Sequence, residues 1–370
     1  MKRQLLTAMF CFCAIGSTAL AQTDLWIRDN IGDTGNEPNT TTSVFWASPD
    51  IGVSWPNPNS PLKPNPSGGA VNWVHVKVQN RGTSASNGTD KVHIYYSAAS
   101  LGLSWSTQWI NYISSVGTCT STVFGDEIGS ASVPPLAPGG TADVVIQWWA
   151  PDPTLFGCLS QPNHYCMIAR IVPGITYTET TNIVYNTQYN NNIAWRNWYV
   201  VKLPPGPVNP VPPATVIARN VQEVATTMRL RAAIADEAAG NLFDNATVDI
   251  VVDDELFQKW QANGAQGENI EVQNGAIRMI NADAWIGGII MEPEETHQVG
   301  FRFTRKNDDF IGTAGIDMIQ EDDGEITGGE RFEVNFAPDD GADGLVTSTP
   351  DEPKVAEGIL VYPNPSRTEF

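Results

Sequence analysis

From Val71 to Val78 the chain alternates in step with a pleated strand, a period that no helix shares. Val71, Trp73 and His75 fall on one face; Val74, Val76 and Val78 dominate the other. Asn80-Arg81-Gly82 then closes the run with turn-forming residues. The same grammar returns at Val92–Ser97, Asp143–Trp149, Tyr165–Val172 and Ile193–Lys202, with Gly, Pro, Asn and Ser clusters between the runs. Short strands interrupted this often favour an antiparallel sandwich, because each apolar face needs a second sheet to cover it. Helical periodicity is confined to Asp254–Trp260, where acids precede an apolar turn.

A proline-rich segment divides the chain. Residues 202–215 hold six prolines, which favours an extended, semi-rigid spacer. Composition changes across it. Residues 24–203 carry eleven Asp/Glu against eight Lys/Arg and ten of the twelve Trp; residues 215–347 carry 26 Asp/Glu against nine Lys/Arg. An internal echo relates the halves. Pro138–Trp148 aligns with Pro293–Phe303 at an offset of 155, matching Val144 to Val299, Ile146 to Phe301 and Trp148 to Phe303. A Pro-led turn feeding a half-buried strand occurs in both, which favours two sandwiches of related plan.

The N-terminus reads as a secretory signal peptide: Lys2 and Arg3, an apolar run from Leu5 to Ile15, and Ala19-Leu20-Ala21 before Gln22. Cys11 and Cys13 leave with it. Of the remaining cysteines, Cys119 and Cys158 lie in polar, Gly-containing loops, while Cys166 lies in an apolar strand-like run. An oxidising compartment then favours one disulfide, Cys119–Cys158, with Cys158–Cys166 as the alternative. Past the signal, no stretch reaches the ~20 apolar residues of a transmembrane segment. A net charge of −20 and a pI near 4.4 argue against nucleic acid or anionic lipid as partners.

Val76-Lys77-Val78-Gln79-Asn80-Arg81-Gly82, Leu136-Ala137-Pro138-Gly139-Gly140 and Asn190-Asn191-Asn192-Ile193, in that order, resemble the bacterial immunoglobulin-like modules called cell-adhesion-related domains. The resemblance spans roughly residues 70–202. The stretch from Asp24 to Trp195 also resembles a module recurring in secreted bacterial proteins, sometimes beside proteases. These resemblances imply accessory or adhesive roles and no catalysis. Ile359-Leu360-Val361-Tyr362-Pro363-Asn364-Pro365-Ser366 is similar to the opening of the type A sorting domain of the type IX secretion system in Bacteroidetes. That similarity implies the secretion machinery as a partner of the tail. The expected organisation is a signal peptide (1–21) and a Trp-rich immunoglobulin-like β-sandwich (22–203). A Pro-rich linker (204–214), an acidic immunoglobulin-like sandwich with one short helix (215–347), and a linker with a truncated sorting-domain start (348–370) follow.

Motifs for catalysis are missing from the sequence. There is no H-E-x-x-H, no G-x-S-x-G and no G-x-x-x-x-G-K-[ST]. Nothing local specifies a Ser/His/Asp triad, and His75 and His93 read as satisfied strand residues. Asp29, Asp33 and Glu37 recur every four residues around Gly32 and Gly35, a pattern that suits Ca²⁺ if the loop folds back, and an Asx-rich turn otherwise. The acidic stretches Glu321–Glu325 and Asp339–Gly344 read as solvated loops. Trp105 and Trp109 flank polar residues, and Trp46 and Trp55 bracket a Pro/Asn-rich loop. These four could stack on a sugar or anchor a protein if exposed, or pack within a core. The expectation is a secreted or surface-attached, non-enzymatic protein that binds an extracellular glycan or protein ligand. The alternatives are an accessory part of a secreted hydrolase or protease, and a structural spacer.

Overall fold

The alternating runs become four β-sheets. The computed structural model describes residues 22–336, apart from 42–43, 64, 115, 174–178, 204–212, 236–241 and 274. The signal peptide, most of the Pro-rich linker and the sorting-domain start lie outside the described residues. In the first sheet Val71–Asn80 pairs with Leu25–Trp26 and Ile51–Ser54 on one edge and with Thr141–Trp149 on the other, and Leu62–Lys63 extends it beyond Ile51–Ser54. The second sheet runs Ile193–Arg196, Tyr165–Val172, Lys91–Ala98, Val123–Ser132 and Tyr112–Ile113, all antiparallel. Val74, Val76 and Val78 from the first pack against Val92, Ile94 and Ile171 from the second in one buried cluster. The fold class is therefore an all-β antiparallel sandwich.

Two further sheets form the C-terminal half. The third runs Trp198–Lys202, Glu325–Asn335, Thr313–Asp322, Thr226–Ile234, Trp285–Met291 and Gln266–Glu268; the fourth runs Ala214–Arg219, Thr296–Arg305, Ala246–Val252, Ala276–Met279 and Ile270–Gln273. Phe301 of the fourth meets Phe332 of the third edge-on at 5.4 Å between centroids. The expected helix forms at Asp254–Ala262, capped by Asp253, whose carboxylate accepts the Leu256 N–H at 2.9 Å. A helix that periodicity did not announce, Ile183–Gln188, is capped by Asn182.

The second and third sheets share one buried core. Tyr165–Ile171 and Ala314–Gln320 are buried along their whole length, so neither strand keeps a solvent face. One apolar cluster runs through the contact, from Tyr95, Cys166 and Trp195 to Met318, Phe332 and Val334. Ile193–Lys202, one run by sequence, is two strands. Ile193–Arg196 ends the second sheet, and Trp198–Lys202 joins the third, parallel to Arg331–Asn335. The fully buried Asn197 makes the crossing: its Nδ2 donates to the Gly329 carbonyl at 2.9 Å and the Ser100 carbonyl at 3.3 Å. The chain thus enters the C-terminal half before the Pro-rich segment begins.

The internal echo extends into three dimensions. Thr141–Trp149 and Thr296–Arg305 bury Val144, Ile146 and Trp148, and Val299, Phe301 and Phe303, respectively. Each turn is clasped by a buried asparagine at the end of the neighbouring strand. Asn80 N–H donates to the Gly140 carbonyl and Asn80 Nδ2 to the Leu136 carbonyl; Asn220 N–H donates to the Glu295 carbonyl and Asn220 Nδ2 to the Met291 carbonyl. The two clasps satisfy equivalent backbone carbonyls, 136 and 140 in one turn and 291 and 295 in the other. Cys119 and Cys158 form a disulfide, with their Cα atoms 5.8 Å apart, and Cys166 is buried and free.

Candidate functional site

The structure withdraws Trp46 and Trp109 as ligand platforms, because each is 0 % exposed. Trp46 fills the contact between the halves. Its ring meets Trp195 edge-on at 6.2 Å, and Nε1 donates to Asp317 Oδ1 at 3.1 Å. Trp105 is half-buried, with the Arg170 guanidinium 4.0 Å above its ring and Tyr95 against its edge. Trp55 carries the Lys63 ammonium 4.8 Å over its ring and donates Nε1 to the Asn65 carbonyl. Lys63 belongs to the Pro/Asn-rich loop beside Trp55, whereas Arg170 and Tyr95 reach Trp105 from other strands. Trp149, on the outer face of the first sheet, is 68 % exposed.

An open cleft of about 590 Å³ lies at the edge of the third sheet. Its wall is Trp285, at the start of Trp285–Met291, and its rim carries Arg229, Glu321, Asp323, Asn263 and Gln266. The Arg229 guanidinium lies 4.4 Å from the Trp285 ring and 3.4 Å from Glu321, which also pairs with Arg231 at 3.0 Å. The floor is bare because the strand places Gly287 and Gly288 there. Gly288 has φ +71°, and a Cβ on it would come within 2.6 Å of the Gln266 amide. Aromatic wall, amides and charges converge as a polar ligand requires. The sequence reading missed this site; its signal was the Gly-Gly pair inside an apolar strand, which marks a close approach.

A Ser–His–Asp relay does assemble. Ser54 Oγ lies 2.8 Å from His75 Nε2, and His75 Nδ1 lies 2.7 Å from Asp143 Oδ2. Three neighbouring strands supply the residues, which is why no local motif announced them. The spacing matches a nucleophile, base and orienter. Access does not: Ser54 is 0 % exposed, and its hydroxyl donates to the Asn57 carbonyl at 3.2 Å. The relay ties strands together.

A second cluster surrounds His297. Its Nδ1 lies 2.9 Å from Asp253 Oδ1 and its Nε2 lies 2.8 Å from Glu295 Oε1. Ligand atoms of Glu255, Glu295 and His297 fall within 4.8 Å of one another, a donor set a metal ion could use. Lys259, however, already pairs with Glu295. Burial alone would lower the His297 pKa, but the carboxylates of Asp253 and Glu295 outweigh it and hold the imidazolium above its ordinary range. The result is an ion-pair network pinning the Asp254–Ala262 helix to its neighbouring strand.

Asp29, Asp33 and Glu37 are brought into one loop with different tasks. Asp33 accepts the Asp29 N–H at 3.0 Å and the Gly35 N–H at 2.8 Å. Glu37 accepts the Asn191 N–H at 2.7 Å, fastening the loop to the turn before Ile193–Arg196. Asp29 is 1 % exposed; Oδ2 receives only the Asn39 amide at 3.3 Å, and Oδ1 has no partner. Burial, reinforced by the charge of Asp33, pushes its pKa well above the usual carboxylate range.

No protein-family model matches this chain, and no curated protein matches it. Among solved structures, the CupB6 tip adhesin from Pseudomonas aeruginosa is 10 % identical, with 78 % of this chain and 96 % of that chain covered at a TM-score of 0.17. The calcium binding domain CBD12 of CALX1.1 is 9 % identical, with 67 % and 74 % covered at 0.15. The multicopper oxidase Fet3p is 10 % identical, with 61 % and 41 % covered at 0.15. Likenesses this loose carry no argument about function. No helix among the described residues is long and apolar enough to cross a membrane.

Proposed function

We propose that this chain is an extracellular, non-enzymatic ligand-binding protein of the adhesion kind, with the Trp285 cleft as the seat for a glycan or protein ligand. The observation that carries the reading is the cleft itself: an open space of about 590 Å³ where an indole, two amides and paired charges face solvent. Among the described residues, the Ser–His–Asp relay at Ser54 has its hydroxyl buried away from substrate. The Cys119–Cys158 bond suits an oxidising compartment. Residues 1–21 as export signal and 348–370 as contact with a secretion machinery belong to the same reading. The test is a glycan array and a panel of extracellular matrix proteins probed with the full chain and with Trp285→Ala. Binding lost in Trp285→Ala supports the reading. Binding unchanged in the variant moves the ligand off this cleft, and no binding by either favours a structural spacer.

A further inference from the structure

We propose that the loop from Asp29 to Asn39 binds a calcium ion, with the Asp29 carboxylate as its principal ligand and the Asp33 carboxylate beside it. The unpartnered oxygen carries the argument. Asp29 Oδ1 is sealed from water and receives no hydrogen bond, in an interior where a charged oxygen without a partner is strongly disfavoured. The guanidinium next in sequence is spent elsewhere: Arg28 binds Asp50 through Nε at 3.0 Å and Nη2 at 2.6 Å. Arg81 caps the outside of the loop at the Thr34 carbonyl and Asn36 Oδ1, and pairs with Asp24. Among the described residues Asp29 makes no ion pair.

The loop supplies the oxygens that a hard cation selects. Each Asp33 oxygen takes one backbone N–H and keeps further lone pairs. The Asn30 and Asn39 side-chain oxygens belong to the same hydrogen-bonded loop, where both meet the Thr41 hydroxyl. Glu37 plays a different part from that expected by its spacing. Its Oε1 accepts the Asn191 N–H, so it anchors the loop to the body, and Asp29 and Asp33 are the carboxylates joined within the loop by the Asp29 N–H. An ion there would couple the first strand, Leu25–Trp26, to the Asn190–Asn192 turn, which already binds Ile27 N–H through the Asn191 carbonyl.

A proton on Asp29 is the competing occupant, and Asp29→Asn separates the two. The full chain, stripped with EDTA, is titrated with Tb³⁺, using Trp26 as sensitiser because its ring packs on Gly35 of the loop. Terbium luminescence that Ca²⁺ displaces is expected. A melting temperature roughly 2 °C higher in Ca²⁺ at tenfold excess over Kd than in EDTA is expected too. Asp29→Asn abolishes both responses and melts in EDTA no lower than the wild type, since the amide removes the buried charge. Equal wild-type melting temperatures in Ca²⁺ and EDTA overturn the proposal and assign a proton to Asp29. A calcium shift that survives in Asp29→Asn overturns it as well, because the ion then sits elsewhere.

Discussion

Removing the Trp46 ring should loosen the whole molecule, because that indole lies between two sheets from different halves of the chain. It is fully buried, packs edge-on against Trp195, and lies so close to Gly329 that a Cβ there would overlap its ring. Truncating a buried Trp to Ala typically costs about 3–5 kcal/mol through lost transfer energy and the cavity left behind. The lost hydrogen bond to Asp317 adds little, since Arg331 still binds that carboxylate at 2.9 and 2.8 Å. Trp46→Phe keeps most of the volume and should cost about 1–2 kcal/mol. A domain's stability is about 5–15 kcal/mol, so Trp46→Ala removes a large share of it. Urea unfolding followed by intrinsic fluorescence and by far-UV circular dichroism is the assay. The wild type should unfold in one transition, and Trp46→Ala at a clearly lower midpoint, with the probes separating if the halves lose their coupling. Ready acrylamide quenching of Trp46 in a single-Trp background, or a cost under about 1 kcal/mol for Trp46→Ala, would refute the reasoning.

Three further outcomes are expected. His297 should give stability an alkaline limit: its pKa is raised above the ordinary 6.5, so its contribution is complete below about pH 6.5 and lost as pH rises through the folded-state value. Melting curves across pH should show this slope in the wild type and a flatter one in His297→Asn; identical slopes would sink it. Reducing Cys119–Cys158, whose partners are 39 residues apart, should cost about 2–4 kcal/mol, and unreduced peptide maps should contain that pair; a Cys158–Cys166 peptide contradicts the structure. A fluorophosphonate probe should leave Ser54 unlabelled, as a sealed hydroxyl demands, whereas modified Ser54 would reinstate the hydrolase alternative.

Trp105 and Trp55 show how far composition can mislead about a site. Each stands among polar residues, which in one dimension looks like exposure, but Arg170 and Lys63 fold back over their rings. Trp285 opens an apolar strand, and Gly287 and Gly288 strip the sheet beside it and leave a cleft. The Ser54–His75–Asp143 relay was illegible for a simpler reason: its members come from three strands, and register alone aligned them.

What the sequence determined by itself was local. A period of two fixes which side chains share a face, so Val74, Val76 and Val78 had to be buried together, and they are. Asp254 and Glu255 before an apolar turn had to open a helix, and the Pro-led turns at 138 and 293 had to feed similar strands. Only the tertiary structure decided that the chain changes sheets at Asn197, that Trp46 closes the contact with Asp317, and that Asn80 and Asn220 clasp equivalent turns. The clasps were hidden because the asparagines repeat at a spacing of 140 while their turns repeat at 155. Local periodicity is set by backbone geometry within a few residues. Burial on a strand's second face depends on which distant sheet docks there, and no short-range pattern encodes that choice.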